Sequence, residues 1–570
     1  MPQQYMLVPP QGSEPADEWV KLGVEAHMRN DMAAADRHYR QALRIDPRHI
    51  IATHNHAIWF ASQNNLNEAL LTMERAMIFD DSYGAIYMNY ALMCLEAGRI
   101  DDALKAGERA VELGKIDPGP IGKVHPHIVH AMVLGAAGRS NEGIAHYNAA
   151  LDEDPTNTQA AANACFAQTL SFCVPKELLE QRKRFITASK YSGSYRKAKI
   201  NREWPRPLRV GYVGGDFKQH SAAMIFSRVL YHHDKEKVES YLYSTLPVNA
   251  EADIYTKKFQ KVANGTWRDI QAKTDDEAAD LIREDKIDIL VDLAAHTAGN
   301  RLAIFLRRPA PLQVTAWGFA HGTGMTEIDY FFADPVAVPE DERQFYAEKI
   351  YDLPCLVTYE APDHYKFKDS NTLPYALNGF ITFGSSARYE KLSEECLRVF
   401  AEILHKVPDA VLRLKDSAYV RPYSIKRVLA IMQKFEIDPK RVHFLIGTTH
   451  EEHMQAYRVA DLQLDPFPHC GGIVALEQLY MGLPLITLYG TQPSGRNTSS
   501  VLTAMGRADW VARTPEEYVE KAVALANDLK TLREARKTLR QELLDSPVVK
   551  GYTDKVEAAY QEIWEKDILK

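Results

Sequence analysis

Six cysteines (Cys94, Cys165, Cys173, Cys355, Cys396, Cys470) among 570 residues, none in C-x-x-C spacing, are too scattered for a disulfide frame or a zinc site. They read as reduced, buried thiols. No apolar run approaches the eighteen residues that a membrane-spanning helix needs. The opening MPQQYMLVPPQGSEPADEW has no basic stretch ahead of an apolar core, so no secretory leader is expected. No block of five or more basic residues occurs, and 68 Lys+Arg stand against 76 Asp+Glu, so nucleic acid is not an expected partner. These absences leave a soluble, cytoplasmic protein as the expectation. Its length suits three or four domains, each large enough for its own core.

What the chain does have, first, is a repeat. Ala42, Ala76 and Ala110 are 34 residues apart and Ala150 follows 40 further on, with the extra residues best placed in Lys115 to Lys123. This is the tetratricopeptide period. Trp19, Leu22, Gly23, Ala35, Tyr39, Ala42 and Pro47 hold the pattern's positions in the first unit. Ala69, Ala76, Tyr87, Ala91, Ala103, Tyr147 and Pro155 continue it, giving about four repeats over residues 16–158. Such units stack because none can bury its apolar face alone, and the stack offers a concave surface to an extended polypeptide or to a second copy of the chain. Docking of an acceptor and homo-oligomerisation are both open at this point.

After a helical connector (159–206), strands alternate with helices, the signature of doubly wound sheets. Strands are expected at Leu208 to Phe217, Val238 to Leu246, Ile287 to Ala295 and Leu312 to Trp317 in a first half (207–375). A second half (376–548) has them at Gly379 to Ser386, Val411 to Leu414, Val442 to Ile446, Leu462 to Pro466 and Pro484 to Leu488. A long helix, Pro515 to Leu544, and a last one, Thr553 to Lys566 within 549–570, are placed to return to the first half.

Ligands of such sheets sit beyond the carboxyl ends of the strands. There the chain places Lys391, Arg388, Arg496 and four histidines, His220, His296, His321 and His453. In ADLQLDPFPHCGGIVALEQLYMGLPLITLYG a Gly471-Gly472 turn opens a helix carrying Glu477. Small residues let backbone approach a pyrophosphate, the helix start favours its charge, and a carboxylate one turn in can hold ribose hydroxyls. No DxD pair or HxxE-like set lies at a strand end, so cations and helix dipoles, with no metal or other cofactor, are expected to offset the diphosphate charge.

The segments LRVGYVGGDFKQH, REDKIDILVDLAAHTAGNRL, RRPAPLQVTAWGFAHGTGMTEIDYFFAD, LNGFITFGSSARYEKLSEECLRVFAEILHKVPDAVLRLK, EEHMQAYRVADLQLDPFP and LEQLYMGLPLITLYG resemble the O-linked N-acetylglucosamine transferase family, glycosyltransferase family 41, over residues 16 to 568. The resemblance implies an α-solenoid followed by two Rossmann-like halves (GT-B), a UDP-sugar donor, inversion and no metal. It assigns Lys391 to the donor phosphate, His453 to stacking on the uracil, Glu477 to the ribose in place of the family's usual Asp, and His220 to the active site as orienting group or base. His296 and His321 are weaker candidates on the acceptor side.

Two features pull the resemblance apart. REDKIDILVDLAAHTA and the MQAY run look closer to a plant branch that uses GDP-fucose. Ile473 and Val474 stand where most members carry two threonines on the diphosphate, a pattern that resembles the bacterial N-glycosyltransferase branch, which glucosylates asparagine and lacks the repeats. Backbone N–H groups of Gly471 to Val474 are left to hold the diphosphate. The readings are therefore GlcNAc or glucose transfer to Ser/Thr or Asn, with GDP-fucose-dependent O-fucosylation, a transferase acting on a lipid or small glycan, and a repeat scaffold with an inactive transferase domain as alternatives.

Overall fold

The repeat period becomes four antiparallel helix pairs: Pro15–Met28 with Met32–Ile45, Ile50–Ser62 with Leu66–Phe79, Gly84–Glu96 with Ile100–Leu113, and Pro126–Ala136 with Ser140–Glu153. A ninth helix, Thr158–Gln168, follows. The computed structural model describes residues 5–10, 12, 14–114, 125–189, 193, 198–246, 252–365, 372–447 and 449–570. The expected site of the longer repeat, Lys115 to Lys123, lies outside them.

Small side chains set the helix crossings. Ala42, Ala76, Ala110 and Ala150 are fully buried. A Cβ on Gly23 would lie 2.5 Å from the Tyr39 ring, so only glycine allows the first pair to close over that ring. Asp31 and Asn65 cap the second helices of their pairs by accepting from the N–H of Ala34 and Glu68. Leu22, expected to fill an inter-helix groove, is 42% exposed; Val20 and Val24 take that place because the buried face of the first helix runs through them.

The chain divides into two compact units, one holding the repeats up to Ala167 together with Arg421–Ser424, the other holding the rest. The second unit contains two all-parallel sheets. The first comprises β1 (Leu208–Gly214), β2 (Val238–Ser244), β3 (Trp267–Asp269), β4 (Ile289–Asp292), β5 (Leu312–Thr315), β6 (Tyr330–Ala333) and β7 (Lys349–Asp352), in the order β3-β2-β1-β4-β5-β6-β7. The second comprises β8 (Thr382–Ser385), β9 (Val411–Lys415), β10 (Val442–Leu445), β11 (Leu462–Leu464), β12 (Leu485–Leu488) and β13 (Val511–Ala512), in the order β10-β9-β8-β11-β12-β13. In each sheet the order reverses beside the first strand, between β1 and β4 and between β8 and β11. That switch point is where such a fold binds its ligands.

The expected single helix from Pro515 to Leu544 is two helices, Pro515–Asn527 and Leu529–Asp545. Asp528 breaks it by leaving helical geometry and accepting from the N–H of Thr531, which starts the second helix. The helix Tyr552–Trp564 does return to the first sheet. Its Glu557 sits 3.1 Å from His233 Nδ1, and Tyr560 and Tyr212 share a hydrogen bond between their hydroxyls at 3.2 Å. No helix among the described residues is long and apolar enough to cross a membrane.

Candidate functional site

β11 delivers Asp465 to the switch point of the second sheet, where its fully buried carboxylate accepts from the Gly471 N–H at 2.8 Å and from Thr487 Oγ1 at 2.7 Å. A Cβ at Gly471 would lie 2.9 Å from that carboxylate, so the turn needs glycine for close approach. The turn opens the helix Ile473–Tyr480. Gly471 has therefore given its N–H to Asp465, contrary to the expectation that it faces a diphosphate. The next three N–H groups, of Gly472, Ile473 and Val474, are the orphan donors that every helix start leaves. Val474, in place of a hydroxyl, packs against the cluster of Met454, Tyr457, Ala460, Met481 and Leu483, and Ile473 is almost fully buried.

Lys391 closes the same corner. β8 ends in the turn Ser386 to Arg388, and a single turn Tyr389–Lys391 aims the ammonium at the helix start, where it donates to the Cys470 carbonyl at 2.7 Å. Burial, and secondarily the charge of Arg388, pushes Lys391 down to about 8. His469 shares the corner: its ring Nδ1 lies 3.1 Å from the Thr169 carbonyl, and burial together with Lys391 and Arg388 keeps it neutral, well below the usual range.

One turn along the helix, Glu477 is 2% exposed. Its Oε1 accepts from His450 Nε2 at 2.7 Å and its Oε2 from the Tyr457 hydroxyl at 2.8 Å. Tyr457 also lies 2.7 Å from His453 Nε2, and burial pushes His453 down to about 4 despite the nearby Glu477. His450, His453 and Tyr457 lie on one face of a segment capped by Thr449, three and four residues apart. That spacing was the signal by which Tyr457 and His450 could have been found from the sequence. Thr448 lies outside the described residues. A carboxylate that already accepts two hydrogen bonds keeps lone pairs for two more, which suits a diol such as a ribose.

The other expected residues separate. His220 lies in the first half as the N-cap of the helix Ser221–Tyr231, with Nδ1 3.3 Å from both the Ala222 N–H and Asp216 Oδ1 and nearly half its side chain exposed. His296 and His321 are buried, each with its Nε2 engaged within the protein. His296 Nε2 donates to the Thr323 carbonyl at 2.9 Å, and His321 Nε2 accepts from the Ser494 N–H at 3.2 Å, which ties the two halves together. Burial, then the Arg182 charge, pushes His321 well down; burial pushes His296 to about 4. Arg496 likewise does not present itself to a diphosphate. Its guanidinium is held by both Glu342 oxygens at 2.6 Å and by the carbonyls of Gly490 and Ala337. Arg388 is exposed at the rim beside Lys391.

The arrangement offers a cation and a helix start at one end and a buried carboxylate with two imidazoles at the other, the two needs of a nucleoside diphosphate. Among the described residues no group of three or more His, Cys, Asp or Glu is placed to hold a metal ion.

A family model described as Glycosyl transferase family 41 matches residues 179–371 and 370–556. The chain is 38% identical over 368 residues to the probable UDP-N-acetylglucosamine–peptide N-acetylglucosaminyltransferase SPINDLY of Oryza sativa subsp. japonica, covering 63% of this chain and 39% of the relative. To the protein of that name from Solanum lycopersicum it is 35% identical, again over 63% of this chain and 39% of the relative. The chain thus spans about two fifths of the length of these curated relatives. A solved O-GlcNAc transferase mutant from Thermobaculum terrenum superposes with a TM-score of 0.75 at 26% identity, covering 97% of this chain and 99% of that one. Repeats and both sheets are shared with it.

Proposed function

Because the chain belongs to glycosyl transferase family 41, we propose that it moves a sugar from a UDP-sugar to a side chain of a polypeptide, with inversion at the anomeric carbon. UDP-N-acetylglucosamine and peptide are the donor and acceptor in the names of the plant relatives. The observation that carries the reading is the placement of Lys391 on the Cys470 carbonyl, at the open start of the helix whose next turn bears Glu477.

In this mechanism the acceptor atom attacks the anomeric carbon as the bond to the diphosphate breaks, and the electron pair leaves on a phosphate oxygen. Lys391 and the N–H groups of Gly472, Ile473 and Val474 stabilise that developing charge from positions fixed before the reaction. Glu477 and His453 hold the nucleoside, so binding energy remote from the reacting carbon orients it. His220, half-exposed at the end of β1, is the group assigned to orient the acceptor or take its proton. The repeats are assigned to the polypeptide.

Purified protein incubated with UDP- and GDP-sugars and candidate peptides, and read by intact mass, tests this. A single hexose or N-acetylhexosamine increment from a UDP-sugar supports the reading, and addition only from GDP-fucose overturns the donor. The increment should persist in EDTA, since the diphosphate charge is met by Lys391 and the helix start; loss restored by Mg²⁺ would contradict that account.

A further inference from the structure

Residues Tyr5–Pro10 form no helix, yet Met6 is 3% and Val8 0% exposed, and Pro10 is buried. Burial alternates along the segment, the period of an extended chain. Two asparagines hold it by its backbone. Asn55 donates through Nδ2 to the Val8 carbonyl at 2.7 Å and accepts the Val8 N–H at 3.0 Å. Asn89 donates to the Met6 carbonyl at 2.9 Å and accepts the Met6 N–H at 3.0 Å. In an extended chain the N–H and C=O of residues i and i+2 point to the same side, so the two amides together imitate a neighbouring strand.

Asn55 and Asn89 are one repeat period apart, in the first helices of the second and third pairs, and both are fully buried. His54 links them: Nδ1 lies 3.2 Å from Asn55 Oδ1 and Nε2 2.8 Å from Asn89 Nδ2. Burial pushes this imidazole down to about 4, so it stays neutral, with Nδ1–H donating to Asn55 and Nε2 accepting from Asn89. With the segment removed, Asn55 Nδ2 and Asn89 Oδ1 would exchange their backbone partners for water. The groove is therefore matched in its donors and acceptors to an extended backbone. Tyr5 anchors one end through its hydroxyl to Glu96; Pro9 and Pro10, lacking N–H groups, end the bonded edge.

We propose that this is a polypeptide-binding groove filled in cis, and that Tyr5–Pro10 is a built-in competitor which must leave before Asn55 and Asn89 can hold an extended polypeptide from another molecule. The contacts to backbone make the grip tolerant of sequence, with apolar side chains favoured where Met6 and Val8 sit. A tethered competitor acts at a high effective concentration, so the intact chain should hold outside peptides weakly. The proposal deepens the polypeptide reading above, and its test uses no donor sugar, so failure of transfer and failure of the groove are separate results.

The probe is a fluorescently labelled peptide, QQYMLVPPQG, followed by anisotropy. A chain lacking residues 1–10, and a full-length Val8→Asp variant whose buried carboxylate expels the segment, should each bind the probe at least about tenfold more tightly than the intact chain. Asn55→Ala with Asn89→Ala in the shortened chain should abolish binding. Equal affinity of shortened and intact chains, or no binding by a shortened chain whose circular dichroism is unchanged, overturns the proposal. Unfolding of both the shortened chain and Val8→Asp would make the segment a structural strand and overturn it as well.

Discussion

Lys391 and Arg496 show how two cations near one loop cluster come to do different things. Lys391 ends a single turn and donates to a carbonyl, whereas Arg496 is enclosed by Glu342 and two carbonyls. Lys391→Ala should lower turnover by about 10²-fold or more with the fold intact, since it removes charge where charge develops. Near-normal turnover would remove that role. The proton on Lys391 is lost as pH rises through about 8 in the empty cleft. An anionic diphosphate binds the charged form, so UDP affinity should be full below that pH and fall above it by up to about tenfold per pH unit. Calorimetry at several pH values should show this in the native protein and a flat profile in Lys391→Met. Arg496→Met should instead lower stability, by roughly 3–5 kcal/mol, by leaving a largely buried Glu342 unpaired. Its folded fraction should keep normal UDP affinity; a tenfold loss of affinity at unchanged denaturation midpoint would return Arg496 to the phosphate. Lys391, the glycine turn and Glu477 were legible because each follows an apolar strand directly, so local order fixes their place. Asp465 and His469 were not, because their partners (Thr487 and Thr169) are set by packing between separate elements.

At the level of elements, the glycine turn divides its work between two neighbours. Gly471 is hemmed in by Asp465, Ala475 and Thr498, while a Cβ on Gly472 would meet nothing within 4 Å. Gly471→Ala should therefore lower the melting temperature. Gly472→Ala should leave melting nearly unchanged and weaken UDP, because its methyl group stands where the phosphate is assigned. Equal effects of the two on UDP and on melting would refute the division. Nine strands were legible as apolar runs, but β3, β6, β7 and β13 were not: β3 and β7 mix polar and apolar side chains at half-exposed edges, β13 is two residues long, and the buried β6 follows β5 with no helix between them, so the alternation of strand and helix does not announce it. The break at Asp528 was hidden for another reason, since acidic and basic residues on both sides continue a helical pattern and only the cap reveals the stop.

For the whole molecule, the stretch after the repeats belongs with the second sheet. Gln492 donates to the carbonyls of Gln168 and Ser171, Ser494 to that of Thr169, and Thr491 to that of Cys173. A truncated chain should therefore begin at Gln168, where the second unit starts. Such a chain, checked by circular dichroism, should bind UDP and lose transfer to a folded protein far more than to a short peptide, because remote contacts help only the longer acceptor. Unchanged efficiency on both would leave the repeats without a docking role.

The helix Tyr552–Trp564, packed on the first sheet, also has a consequence for the order of synthesis. Tyr560 meets a tyrosine, Tyr212, 348 positions earlier in the chain. At roughly 5–20 residues per second, a ribosome needs about 20–70 s to make that span. Through that interval the nascent first sheet keeps an apolar face waiting for its cover, a target for a chaperone, and its final closure must follow the making of the second sheet.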